Sequence, residues 1–477
     1  MAISNLIYFL PLIFLFIPSM YIPGTVIPVY DIIIGVTFFF LLIPGKNKNI
    51  ISNIFSYKKY LFYRILLIFV LWVLLSGMIS IFIGYYNFFY ALYAILILFL
   101  YNDLLWFLYP SVIFPKFLSV QALIKIFIIG ISIICIYGLL SYGFEILNVP
   151  ILKPINYIVN NRRLDGEGLG LVSNRLLSVF EEPGYLGGFL CINLPIIYSV
   201  IMTKSNIFNK YYLNIFYKKF LVPLIWLTII LTKSPIWLIF SIIVSIIFFR
   251  KIIIKKFNKI SIIVLMLLPF IFLTIQLFYT KVDLSDTYLT RIKKTLLSFG
   301  NFDSFVSQEE SLANRVLSYI VRVKVFLKYP ITGAGYKNTE YCAREIYHSL
   351  GFPLTIETVN SLNIYNGKKM HMNGAIFWDT LSDTGLVGAV LYYTFLILLI
   401  KKCNTILKFL PTSVEKSFIA GVKNSYIIII CLSFYDIRPN FHYFWFLYGL
   451  TICFIKYKQQ YLKYYTRFCN GCINSIC

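Results

Sequence analysis

The chain has 477 residues, 59% hydrophobic and 19% aromatic, with only 13% charged. A soluble protein of that length cannot hide so much apolar surface, so part of its solvent is lipid. The net charge of +24 is that of a protein whose basic loops face anionic lipid, and nucleic acid is not an expected partner. Runs such as "ILLIFVLWVLLSGMISIFI" (65–83) do not alternate apolar with polar residues, which excludes a transmembrane β-barrel.

Taken in chain order, hydropathy predicts an all-α polytopic membrane protein of about twelve transmembrane helices. They fall near 4–20, 23–43, 61–83, 86–108, 121–145, 185–203, 220–232, 235–249, 260–279, 374–400, 418–435 and 443–456. The first 45 residues contain no Lys or Arg, so no cleavable leader is expected and the first span is retained. "TKSP" (232–235) reads as a tight turn between two short spans. The organisation is then 1–145, spans one to five; 146–184, a loop with Arg and Glu; 185–279, spans six to nine; 280–373, a large loop; 374–477, the last three spans and a tail.

The connecting segments 44–60, 110–120, 204–219, 250–259, 401–417 and 456–477 hold half of the 43 Lys/Arg and one acid, Glu415. The positive-inside rule places them in the cytoplasm, with both termini. Loops 146–184 and 280–373 then face outward and carry most of the 19 acids; all three histidines also fall on the outer side, His348 and His371 in the second loop and His442 before the last span. Within the second, "LANRVLSYIVRVKVFLK" (312–328) has helical apolar spacing. It reads as an amphipathic helix on or near the membrane, ended by Pro330 and followed by a "GAG" turn (333–335).

Three groups of residues could carry chemistry. Arg162, Arg163 and Arg175 lie in the first outer loop, and Arg291, Arg315, Arg322 and Arg344 in the second. Several guanidinium forks converging at a membrane surface suit a pyrophosphate, although lipid head groups or solvation also explain single arginines. His371, just before the tenth span, is a candidate base or hydrogen-bond donor near neutral pH. Asp379 and Asp383 are four residues apart on one helical face and could form a cation site, a proton relay or partners for an Arg. In "SVFEEPGYLGGF" (178–189), Glu181 and Glu182 precede Pro183, where carboxylates complement a helix N-terminus or contribute to chemistry. No metal site is expected. "DGEGLGL" (165–171) is a flexible loop rather than a dinucleotide fingerprint, DxD is missing from the outer loops, and the tail cysteines Cys469, Cys472 and Cys477 make a poor zinc set. No cofactor is expected either.

In motif order the chain resembles the O-antigen polymerase and O-antigen ligase superfamily of bacterial surface-polysaccharide enzymes. The resemblance rests on "NRLLSVFEEPGYLGGFL" (174–190), "RVLSYIVRVKVFLKYPITGAG" (315–335) and a histidine before "DTGLVGAVLYY" (383–393). It covers about residues 120–400. Arg175 matches the family's arginine before a span that opens on Pro-Gly. Arg315 matches the arginine ahead of a P-x-x-G-x-G element, here Pro330, Gly333 and Gly335, and Arg322 with Gly333 fits the arginine–ten–glycine spacing of the polymerases. His371 matches the outer-loop histidine, and Asp383 with Gly385 an acid–x–glycine element.

The resemblance implies a GT-C-like glycosyltransferase in the bacterial inner membrane. Its donor and acceptor would be oligosaccharides on undecaprenyl pyrophosphate, presented at the periplasmic face, and a chain-length regulator is a further expected partner. A polymerase moves the growing chain onto the next lipid-linked repeat unit; a ligase moves it onto lipid A core. Arg175, Arg291, Arg315 and Arg322 are then the expected pyrophosphate ligands. The catalytic set is His371, Glu182 and Arg175, without a metal. A lipid-linked oligosaccharide flippase is the competing non-enzyme, and it favours two similar halves and short loops, unlike this chain.

Overall fold

The computed structural model describes residues 29–42, 60–82, 104–117, 119–146, 183–203, 206–256, 310–349, 374–408, 413–434 and 443–457, with single positions 11, 16, 92, 95, 96, 176, 178, 180 and 410. Among them no strand occurs and 87% are helical. The expected span 260–279 lies outside the described residues, as does 4–20 apart from positions 11 and 16.

The helices in chain order are α1 (Val29–Leu42), α2 (Leu61–Phe82), α3 (Leu105–Phe117), α4 (Val120–Ile146) and α5 (Pro183–Ile201). They continue with α6 (Tyr211–Leu231), α7 (Pro235–Lys256), α8 (Glu310–Lys328), α9 (Thr339–Ser349), α10 (Ile376–Leu407), α11 (Ser413–Leu432) and α12 (443–457). Five helices are long and apolar enough to cross a bilayer: Leu61–Phe82, Val120–Gly143, Pro183–Ile201, Tyr211–Leu231 and Ile376–Leu407. By length and composition they suggest a membrane protein.

α5 is the central helix, buried along almost its whole length against α11, α7 and α6. An apolar stripe on every side is what a helix enclosed by other helices requires. Its approach to α11 is backbone on backbone, because a side chain on Gly421 would collide with Ile196. Ser425 Oγ donates to the Ile192 carbonyl at 2.6 Å in the same contact. Nearer the start of α5, Gly187 and Gly188 make room for Trp237, whose Cβ lies 3.0 Å from where a Cβ on Gly187 would stand. The glycine pair in "EEPGYLGGF" is therefore a seat for an indole. A second layer pairs α10 with α2, and α8 lies across the beginning of α10 with α9 folded against it.

Several helices run past the ends expected from sequence, among them α7 to Lys256 and α10 to Leu407, but α3 and α6 do so furthest. Segment 110–120 was expected as a loop, yet α3 continues to Phe117 through Pro110 and Pro115. Proline removes one hydrogen bond each time, but Ser111, Val112, Ile113 and Phe114 are buried, and their packing holds the helix. Segment 204–219 was also expected as a loop, yet α6 begins at Tyr211. A π-turn at Phe216–Phe220 lets the helix carry Lys218 and Lys219 before it turns fully apolar at Leu221. The turn predicted at "TKSP" is present, with Lys233 at φ 49° and Pro235 opening α7.

The α5–α11 contact has no space for a side chain at position 421. Gly421→Leu should destabilise the protein by about 1–3 kcal/mol or more, as overpacking does. Thermal unfolding in detergent, followed by size-exclusion chromatography, should give an earlier aggregation midpoint than wild type.

Candidate functional site

α10 is not one continuous helix. Gly385 has φ 68° and ψ −172°, which breaks it nine residues from its start. Only glycine takes such a conformation without strain. The carbonyls before the break lose their helical partners and must be satisfied from elsewhere.

The segment after α8 supplies those partners. Ala334 N–H donates to the Ser382 carbonyl at 2.8 Å, and Gly335 N–H to the Asp383 carbonyl at 2.8 Å. In return Leu386 N–H donates to the Pro330 carbonyl at 2.9 Å. Gly333 (φ 68°) and Gly335 (φ 95°) turn the chain for this exchange. A Cβ on Gly333 would strike the Asp383 carbonyl, and one on Gly385 the Ile331 carbonyl. P-x-x-G-x-G and D-x-G are thus two halves of one backbone joint.

α2 completes the joint from the side. Trp72 Nε1 donates to the Thr384 carbonyl at 2.8 Å. Ser76 Oγ lies 2.7 Å from the Thr332 carbonyl and 3.2 Å from that of Asp383. Ser80 Oγ accepts from Asn338 Nδ2 at 3.1 Å. None of these three residues was singled out from sequence. The available signal was polar Ser76 and Ser80 at i, i+4 within an otherwise apolar run.

The two aspartates of α10 have separate tasks. Asp379 forms a buried ion pair with Arg322, through Oδ1 and Nε, and Arg322 Nη1 also donates to the Ser318 carbonyl at 3.2 Å. Of the readings open for Asp379, a partner for an arginine is the one observed. Asp383 instead receives the Thr339 hydroxyl at 2.6 Å, Thr339 N–H at 3.2 Å and Lys337 N–H at 3.0 Å. It caps the N-terminus of α9, which a carboxylate stabilises by charge and by hydrogen bonding. Thr339 Oγ1 also lies 2.9 Å from Ser382 Oγ.

α8 matches its expected amphipathic pattern. Leu317, Val321 and Val325 are buried with Cys342, Ala343 and Tyr347 of α9. Arg322 is 3% exposed and Arg315, seven residues earlier, is half-buried. Burial pushes the Cys342 thiol up to about 12, and it is unpaired. Arg175, Glu182, Arg291 and His371 lie outside the described residues. Of the expected pyrophosphate ligands, the structure locates Arg315 and Arg322, both on α8. Among the described residues, no group of three or more His, Cys, Asp or Glu is arranged to hold a metal ion.

Compared with models of known protein families and with curated proteins, the chain matches none.

Two outcomes follow from this geometry. Gly385→Ala forces an L-residue into a positive-φ, extended-ψ backbone that is essentially reserved for glycine, at a cost of about 1–3 kcal/mol before any collision with Ile331 is counted. It should lower folded yield in membranes, measured by fluorescence-detected gel filtration. Cys342 should resist maleimide at pH 8, because its thiolate forms only far above that pH; labelling should appear on unfolding, read by mass spectrometry.

Proposed function

We propose that the protein is a surface-polysaccharide polymerase of the O-antigen type. In this reading it is a GT-C-like enzyme of about twelve spans in a bacterial inner membrane, with both termini cytoplasmic. One observation carries the reading. Two of the short elements on which the family resemblance rests, 330–335 and 383–385, lie some 50 residues apart in sequence, yet they meet in a single backbone joint. Joined in this way, they fix the arginine-bearing α8 against the end of a membrane helix.

The reaction requires an anion site and a proton acceptor. An acceptor sugar hydroxyl attacks the anomeric carbon of the donor glycan. The C–O bond to undecaprenyl pyrophosphate breaks, and the pyrophosphate lipid leaves. Fixed guanidinium charge stabilises the developing negative charge on the leaving group. Arg175, Arg291 and Arg315 are assigned to it. The hydroxyl proton passes to His371, or to Glu182 as second choice. Arg322, also expected as a pyrophosphate ligand, has a different place in this scheme. Its ion pair with Asp379 makes it a positioning residue that aligns α8, and through α8 Arg315, with the membrane.

The roles separate experimentally. Arg315→Ala should abolish polymer ladders in a polymerase-null strain at normal protein level, leaving single-repeat caps on lipid A core. Loss of the caps as well would indicate a flippase, and a wild-type ladder would remove Arg315 from the site. His371→Gln keeps hydrogen bonding but not basicity and should lower polymerisation.

For Arg322 the single Arg322→Met strands a buried carboxylate and should cost about 3–5 kcal/mol, whereas Arg322→Met with Asp379→Leu should regain most of that stability. A positioning role predicts that the double variant also regains part of the ladder. A double variant that is stable but makes no ladder returns Arg322 to the pyrophosphate site.

A further inference from the structure

The exposure pattern along α10 marks where lipid begins. Residues 374–385 are largely enclosed by protein, whereas Leu386, Val390 and Ile397 form one exposed apolar stripe. As a straight helix α10 would measure about 48 Å, far more than the roughly 30 Å of a hydrocarbon core. The part after the break, residues 386–407, measures about 33 Å and fills that core alone. At its far end lie exposed Lys401 and half-buried Lys402, the latter with Nζ 4.5 Å above the Tyr60 ring. Such charges and an aromatic ring suit a head-group layer. Leu386 is thus the first lipid-facing residue of α10.

The Leu386–Pro330 hydrogen bond fixes the neighbouring turn at the same depth. Beside it Leu327 and Ile331, four residues apart, are 64% and 63% exposed. α2 gives an independent depth mark. Its exposed apolar residues Leu71, Leu75, Met78 and Phe82 continue past Ser76, which bonds the Thr332 carbonyl at 2.7 Å. Phe82 stands about 9 Å further along the helix. The turn at 330–332 therefore lies within the apolar band of α2 rather than beyond it.

We propose that residues 327–335 form a re-entrant wedge in the bilayer, with Leu327 and Ile331 in contact with lipid acyl chains. Exposed Lys324 and Lys328 flank this apolar pair and reach toward anionic head groups. The backbone meets the requirement that a bilayer places on non-helical chain, namely enclosure in protein with internal hydrogen bonds. Gly333 N–H donates to the Tyr329 carbonyl, Ala334 and Gly335 donate to α10, and Lys337 and Thr339 donate to Asp383. The inference rests on α10 being a membrane span and is independent of the reaction proposed above.

The test is photo-crosslinking in native membranes. The full chain would carry benzoylphenylalanine at position 331, at position 386 or, as a water-facing control, at position 345 on α9. The expected result is a lipid-mass adduct at 331 and at 386 and none at 345. An adduct at 386 without one at 331 overturns the wedge while leaving the span intact. Absence at both positions overturns the membrane reading of α10 and the wedge with it. A crosslink from 331 to another protein, in place of lipid, also overturns the wedge.

Discussion

A helix that stops hydrogen-bonding to itself inside an apolar setting must find other partners, and this constraint organises half of the molecule. At Gly385 the α10 backbone turns out of helical geometry. The carbonyls of Ser382, Asp383 and Thr384 become acceptors for Ala334, Gly335 and Trp72. Unpaired carbonyls in an apolar interior would each cost a few kcal/mol, so the break and the turn stabilise each other or neither forms. α8, α9 and α2 are all positioned through this joint.

The other half follows a simpler rule. α5 is apolar on every side and uses glycines where neighbours come closest, Gly187 and Gly188 at Trp237 and Gly421 of α11 at Ile196. Close backbone approach through small residues is how helices associate when lipid removes the hydrophobic drive between them. The two halves meet where α10 begins. Phe377 N–H donates to the Ser433 carbonyl at 2.9 Å, and the Tyr393 hydroxyl donates to Ser433 Oγ at 2.8 Å.

Much of this was legible in the residues, for physical reasons that differ by element. α8 was visible because its apolar spacing is helical and Pro330 ends it. Gly333, Gly335, Asp383 and Gly385 were visible as short motifs, but that they bond to one another was not, since pairing across some 50 residues leaves no local signature. Trp72, Ser76 and Ser80 were hidden in a run whose strong apolar character spoke only of a span. The ends of α3 and α6 were misplaced because Pro110 and the lysines of "YKKF" resemble boundaries, while the packing that carries the helices through them is a tertiary fact.

The break also has an electrical consequence. A continuous α10 would carry one dipole from end to end, whereas the interrupted helix presents the negative terminus of its first segment beside the joint. Asp383 lies at that terminus and Asp379 one turn before it. The floor under the α8–α9 turn therefore holds two carboxylates, with Arg322 and Lys337 as the cations beside them. On the reading proposed above, the charge that meets an anionic ligand then comes from arginines such as Arg315 on α8, since the Arg322 guanidinium is already balanced by Asp379.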